Sequence, residues 1–353
     1  MAPLFPGGVH LLRLAAIVAL LLAPLPALAQ PKPIPIKVVV IAAFEIGADT
    51  GDKPGEFQHW VERYPLAEPV KIPGVERPAR LSKDGVLGIT TGMFGRARGS
   101  MAALLADPRF DFSRSYFLMA GIAGVDPKAG SIGSAAWSDW VVDGDPVYEI
   151  DDREITPGWP WGLYAFNASS PAEKGSGEGA SGMAWRLDPG LTQWAYQLTR
   201  DTPLPDGPKL AAERAGFRTE PGAQKPPHVF VGASLATVRF WHGPRRTQWA
   251  REWVRLQTDG AGAFAMSDGE DQAVLDTLHL FAQDGRVDPR RVLVLRTASN
   301  YTWPGEGKPM RVEFADGGSD AAFEAAYRVG APVVKALVAG WPTYETTLPK
   351  VRP

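Results

Sequence analysis

The 353-residue sequence contains no cysteine. That absence excludes thiol catalysis, disulfide bonds, thiolate metal sites and a lipid-bearing leader cysteine. Histidine is scarce: His10, His59, His228, His242 and His279 are scattered and form no H-x-x-x-H pair. No metal site is expected from that pattern. A G-x-S-x-G nucleophile turn is also missing. The formal net charge is only −2, so nothing points to nucleic acid or to an anionic membrane surface. Beyond the amino-terminal segment no apolar run reaches ~18 residues, the length needed to cross a bilayer.

What is present begins with an export-like segment. Arg13 precedes the apolar stretch Leu14 to Leu22, Pro24 and Pro26 follow, and Ala27-Leu28-Ala29 offers small residues for cleavage before Gln30. Residues 1–29 read as a secretory signal. An exported chain without disulfides suits a bacterial periplasm. Residues 30–36, "QPKPIPI", form a Pro-rich leader.

From residue 37 onward strands and helices alternate. "KVVVIAAF" (37–44) is a β-branched run suited to a parallel strand buried on both faces. "GVLGITTGM" (85–93), "SYFLMAGIAG" (115–124), "GSAAWSDWVVDGD" (133–145), "HVFVGASLATVRFW" (228–241) and "RVLVLRT" (291–297) read as further strands. Helices are expected over 96–107, 191–200, 267–285 and 320–338, the last broken near Pro332. Residues from about 150 to 225 are rich in Gly and Pro and read as an irregular insertion. The expectation is one α/β domain over 37–345, with a mostly parallel central sheet flanked by helices and a tail at 346–353. The 12 Trp residues suit a large core or an aromatic-lined pocket.

Several stretches carry chemistry or have a structural explanation. "TGMFGRARGS" (91–100) is a glycine-rich turn into a helix, neither a Walker A loop nor G-x-G-x-x-G. Its N–H groups, with Arg96 or Arg98, suit an anion; Gly92, Gly95 and Gly99 equally suit close helix–sheet packing. "SDGED" (267–271) fits a capping box from Ser267 to Glu270, with Asp268 and Asp271 favoured by the helix dipole. It also places Glu270 where a carboxylate can hold vicinal hydroxyls. Glu45 ends the first strand, and Asn300 follows the last one, at the sheet edge where open α/β folds bind ligands.

In order, "KVVVIAAFEIGAD", "TTGMFGRARG", "FLMAGIAGVDP", "FVGASLAT", "DGEDQAVLDTL" and "VLRTASNYT" resemble the purine nucleoside permease family. The resemblance covers essentially 37–345 and implies a nucleoside phosphorylase-like fold. It implies substrate contacts in the glycine loop at Gly92, along Gly121, Ile122, Ala123 and Gly124, and at Gly269, Glu270 and Asp271. Glu270 takes the part of a ribose-holding Glu, with Gly269 where nucleosidase-like relatives carry Met. Asn300 falls where they place an Asp that assists departure of the base. An amide cannot act as a general acid, but it can both donate to and accept from an oxopurine edge. Glu45 falls near a water-activating Glu, and Arg96 and Arg98 fall near a phosphate-binding position. The catalytic expectation is therefore Glu45 with Asn300.

The implied ligand is a purine nucleoside, with no cofactor. Phosphate, a membrane transporter and a second copy of the chain are further partners the resemblance allows. Two functions follow: an exported binding protein that serves nucleoside uptake with or without cleavage of the N-glycosidic bond, or a purine nucleosidase or phosphorylase with no transport role.

Overall fold

Val38–Ala42 is apolar at every position, and the alternation of a strand divides it between two layers. Val39 and Ile41 face a cluster with Leu87, Met101 and Leu278. Val38, Val40 and Ala42 face a second cluster with Trp60, Val334 and Leu337. The first layer contains the helices Arg96–Ala106 and Asp271–Ala282; the second contains Gln58–Arg63, Pro189–Thr199 and Gly318–Ala339. A sheet covered on both faces is the arrangement that such a run requires.

This computed structural model describes residues 32–177, 182–311 and 317–351. The expected signal at 1–29 lies outside them. Of the unit Met1–Pro33 only Lys32 and Pro33 are described, and neither lies in a helix or strand; Ile34–Pro353 form one compact unit.

The sheet is α/β in its setting but mixed in direction. Val38–Ala42, Val86–Thr90, Tyr116–Val125 and Val292–Tyr301 are joined by parallel pairings. Antiparallel pairing adds Ala79–Leu81 to Val86–Thr90, Ala135–Trp137 to Val292–Tyr301 and Phe264–Asp268 to the end of Tyr116–Val125. Tyr116–Val125 is the branch strand: it pairs with the Val38 and Val292 strands along its length and with the Phe264 strand at Gly124 and Val125.

Several expectations change in detail. The run 133–145 is two strands, Ala135–Trp137 and Trp140–Asp143, and the helix expected from 267 begins at Asp271, after the strand Phe264–Asp268. The run 228–241 is two short strands, Val229–Val231 and Ala233–Ala236, separated by Gly232, where a Cβ would lie 2.6 Å from that of Ala265. Gly318–Ala339 continues through Pro332 as a single helix, with Gly330 bare against Trp60. The region 150–225 is not irregular throughout: it holds strand Leu163–Ala165, strand Ala184–Arg186 and helices Pro189–Thr199 and Pro208–Ala215. Its Leu191 and Ala195 are fully buried in the second layer. Among the described residues no helix is long and apolar enough to cross a membrane.

Candidate functional site

The carboxyl ends of Val38–Ala42, Tyr116–Val125, Phe264–Asp268 and Val292–Tyr301 surround a cavity of about 400 Å³. Its walls are largely apolar, from Phe44, Phe94, Ile122, Phe240, Trp241 and Phe323. Glu56, Asp268, Glu270, Ser299 and Asn300 are among its polar groups, and Lys53 and Arg239 add two cations to the lining. A mainly apolar cleft with a few convergent polar groups is the usual form of a small-molecule site.

Asp268 begins the polar cluster. Its Oδ1 accepts from the N–H groups of Glu270 at 3.1 Å and Asp271 at 3.0 Å, and its Oδ2 from Ser234 Oγ. The helix Asp271–Ala282 is thus started by Asp268, not by the expected Ser267–Glu270 box, and the Glu270 side chain makes no cap hydrogen bond. Glu270 is free to face the cavity. Its Oε1 accepts from Phe94 N–H at 3.1 Å, and its Oε2 lies 3.5 Å from Arg296 Nη2.

Arg296 is the buried cation of this cluster, only 3 % exposed. It forks onto Asp271, with Nε to Oδ2 at 3.0 Å and Nη2 to Oδ1 at 2.5 Å. Asp268 Oδ1 lies 3.3 Å from Nη2. Gly121 makes room for this packing: a Cβ there would lie 2.5 Å from Arg296 Nη1 and 2.8 Å from Glu56 Oε1.

Glu56 completes the group. It is 3 % exposed, with Oε1 accepting from Ile122 N–H at 2.7 Å and Oε2 from Ala43 N–H at 2.6 Å. Burial pushes its pKa up to about 7; Arg296 and the two N–H groups pull it down, and Glu270 adds to the rise. Burial likewise raises Glu270, opposed by Arg296 and increased by Asp268. A carboxyl that titrates near neutrality can take or give a proton under ordinary conditions.

The expected residues distribute unevenly. Ile122, Ala123, Gly124, Gly269, Glu270 and Asn300 line the cavity. Gly121 stands behind it, and Asp271 is fully buried against Arg296. Gly92 and Arg96 line a neighbouring cleft instead. Arg96 lies 3.6 Å from Glu76, and Arg98 pairs with Asp276. Glu45 also lines that neighbouring cleft. Its oxygens accept from the N–H groups of Ile46 at 2.8 Å, Gly55, Phe57 at 2.8 Å and Gln58 at 2.5 Å. It holds the loop and the start of the helix Gln58–Arg63, and Glu56 is the carboxyl that reaches the cavity.

Asn300 is turned inward by a local irregularity. The pairing with Tyr116–Val125 shifts register between Ala298 and Asn300, so Asn300 stands opposite Gly124. Such a bulge re-aims a side chain. Asn300 Nδ2 donates to Tyr301 O at 2.9 Å, and its Oδ1 accepts from Ser299 Oγ at 3.0 Å.

Glu56 and Phe94 were not singled out in the sequence. Glu56 follows Pro54-Gly55 with no motif of its own. Its position depends on the loop that Glu45 gathers. Phe94 adopts φ 57°, a left-handed conformation that costs a bulky residue about 1–2 kcal/mol.

This geometry can be set beside known proteins. A purine nucleoside permease of Candida albicans is 26% identical over 313 residues, covering 86% of this chain and 75% of that protein. A probable purine nucleoside permease of Schizosaccharomyces pombe is 26% identical over 255 residues, covering 69% of this chain and 73% of the other. The fold is that of a 5'-methylthioadenosine/S-adenosyl homocysteine nucleosidase from Helicobacter pylori, at a TM-score of 0.50 and 13% identity over 87% of this chain and 99% of that one. The model of the family described as purine nucleoside permease (NUP) matches residues 35–349, and the chain belongs to that family.

Proposed function

We propose that this chain captures a purine nucleoside in the cavity and cleaves its N-glycosidic bond with water, in the service of nucleoside uptake. One observation carries the reading: a buried carboxyl with a pKa of about 7, Glu56, shares one cavity with Glu270 and Asn300. The names of the relatives and of the nucleosidase with this fold support the choice of ligand.

Glu270 accepts hydrogen bonds from the ribose 2′- and 3′-hydroxyls, its carboxylate fixed by Phe94 N–H. Glu56 in its ionised form takes a proton from water as the water oxygen bonds to the anomeric carbon. The bond from that carbon to the base nitrogen breaks, and its electron pair leaves with the base. The amide of Asn300 donates to the base edge where that charge gathers. The base takes a proton from solvent, and Glu56 returns its own. The products are ribose and a free purine. Arg96 and Arg98, the residues expected near a phosphate, lie outside the cavity, so a phosphate there would have to be held by Lys53 or Arg239 instead.

The amino-terminal segment supports export, with the chain working in a periplasm. A second reading is capture without cleavage, with the nucleoside handed to a membrane transporter. It is favoured by Asn300, whose amide already serves Tyr301 O and Ser299 Oγ and which cannot supply an acidic proton. Incubation with inosine and with adenosine, with and without phosphate, separates these. Free ribose is expected. Ribose 1-phosphate would replace hydrolysis with phosphorolysis, and intact nucleoside with measurable binding would favour capture alone.

A further inference from the structure

Phe94 and Gly269 come from distant parts of the chain and meet at the cavity wall. A Cβ on Gly269 would lie 2.7 Å from Phe94 Cδ1 and 2.9 Å from Cε1, closer than real side chains approach. The φ of Gly269 lies outside the left-handed range, so the backbone there does not demand glycine. The space is taken by the Phe94 ring. Phe94 in turn holds a left-handed backbone, and the same residue donates its N–H to Glu270 Oε1 at 3.1 Å. Both residues line the cavity. A bulky residue kept in an unfavourable conformation at a ligand edge needs a compensating role.

We propose that Phe94 is a substrate-binding residue: its ring, seated over Gly269, forms the apolar wall on which the ligand's sugar packs, while its N–H orients the Glu270 carboxylate. The inference rests on the nucleoside reading of the cavity. It assigns the wall to the loop after Val86–Thr90, so that residue 269 must stay bare. The two positions then act as one unit. Enlarging 269 displaces the ring, and removing the ring makes 269 tolerant.

The test is calorimetric titration of the full chain with inosine and adenosine, beside thermal melting. Phe94→Gly removes the ring and permits the left-handed backbone. It is expected to lower affinity for both nucleosides about tenfold or more, with little change in melting temperature. Gly269→Ala alone is expected to lower affinity at least fivefold. In the Phe94→Gly background it is expected to change affinity by less than twofold. Equal losses from Gly269→Ala in both backgrounds would overturn the shared wall. Affinity within twofold of the unaltered chain for Phe94→Gly, with Glu270→Gln still losing binding, would overturn the proposal and leave the nucleoside reading standing. Failure of the unaltered chain to bind any purine nucleoside would overturn both.

Discussion

Glu45 and Glu56 lie at the two ends of one loop and are tied to each other's surroundings: Gly55 N–H donates to Glu45 Oε1, and Glu56 N–H donates to Phe44 O at 3.2 Å. Glu45 is committed to backbone N–H groups, and Glu56 is presented to the cavity. The residue expected in the catalytic position builds the support for the one that occupies the cavity.

Substitution of the two is therefore expected to separate stability from chemistry. Glu45→Ala leaves buried N–H groups without an acceptor and should cost about 1–3 kcal/mol of stability. Glu56→Gln should keep the fold and nucleoside binding but lose about a hundredfold or more in cleavage rate. Denaturant unfolding and single-turnover product analysis measure the two effects. A stable, inactive Glu45→Ala protein would reverse the assignment.

The raised pKa of Glu56 gives a pH dependence with a definite sign. The folded protein holds this proton up to about 7, whereas the ordinary value is 4.5. The stability contributed is full below the ordinary value and is lost as pH rises through about 7. Glu56→Gln removes that loss. Its stability relative to the unaltered chain should rise between pH 5 and pH 8 by roughly 3 kcal/mol, at about 1.36 kcal/mol per pKa unit. Parallel melting curves for the two proteins across this range would contradict the assignment.

Glu270 should distinguish sugars. If its carboxylate holds two ribose hydroxyls, Glu270→Gln weakens ribonucleosides more than 2′-deoxynucleosides, since each bond to a charged acceptor contributes roughly 1.5–3 kcal/mol. Titration with adenosine and 2′-deoxyadenosine measures the difference. Equal losses for both would leave Glu270 a structural member of the Arg296 cluster.

Asn300 should read the base. An amide offers both donor and acceptor to an oxopurine, whereas an ionised Asp offers acceptors only. Asn300→Asp is expected to shift preference from inosine toward adenosine by about 1–3 kcal/mol, the cost of a polar partner left unpaired. An unchanged ratio of affinities with an intact fold would mean that the contacts to Tyr301 and Ser299 are its whole role.

Export can be checked directly. Produced in a Gram-negative host, the mature chain is expected to begin near Gln30 and to appear in the periplasmic fraction without detergent. An intact chain beginning at Met1 in the membrane fraction would contradict that expectation.

Much of this architecture was legible because it is written in continuous runs. Val38–Ala42 and Val292–Leu295 are apolar and buried at every position, and unbroken apolar stretches of that kind announce central strands. The helix Arg96–Ala106 followed its predicted range closely. Asn300 could be placed at the sheet edge because a predicted strand, 291–297, leads into it, whereas Glu270 fell inside a predicted helix and was placed by the family resemblance. The misplacements arose where a side chain answered to distant backbone. Asp268, not Ser267, caps its helix because Ser234 and two amide groups converge on it. Glu56 reaches the cavity only because the intervening loop folds back on Glu45. The antiparallel joins also have no local signal: Phe264–Asp268 reverses its direction only relative to a strand far earlier in the chain.

The branch strand has a consequence for synthesis. Tyr116–Val125 takes one flank from residues made before it and the other from Val292–Tyr301, made near the end of translation. A ribosome-bound chain cannot finish its central sheet until that last strand emerges, and pairings so distant in sequence form slowly. The central sheet therefore stays one strand short of its Val292 flank until late in synthesis, although its Val38, Val86 and Tyr116 strands are all available early.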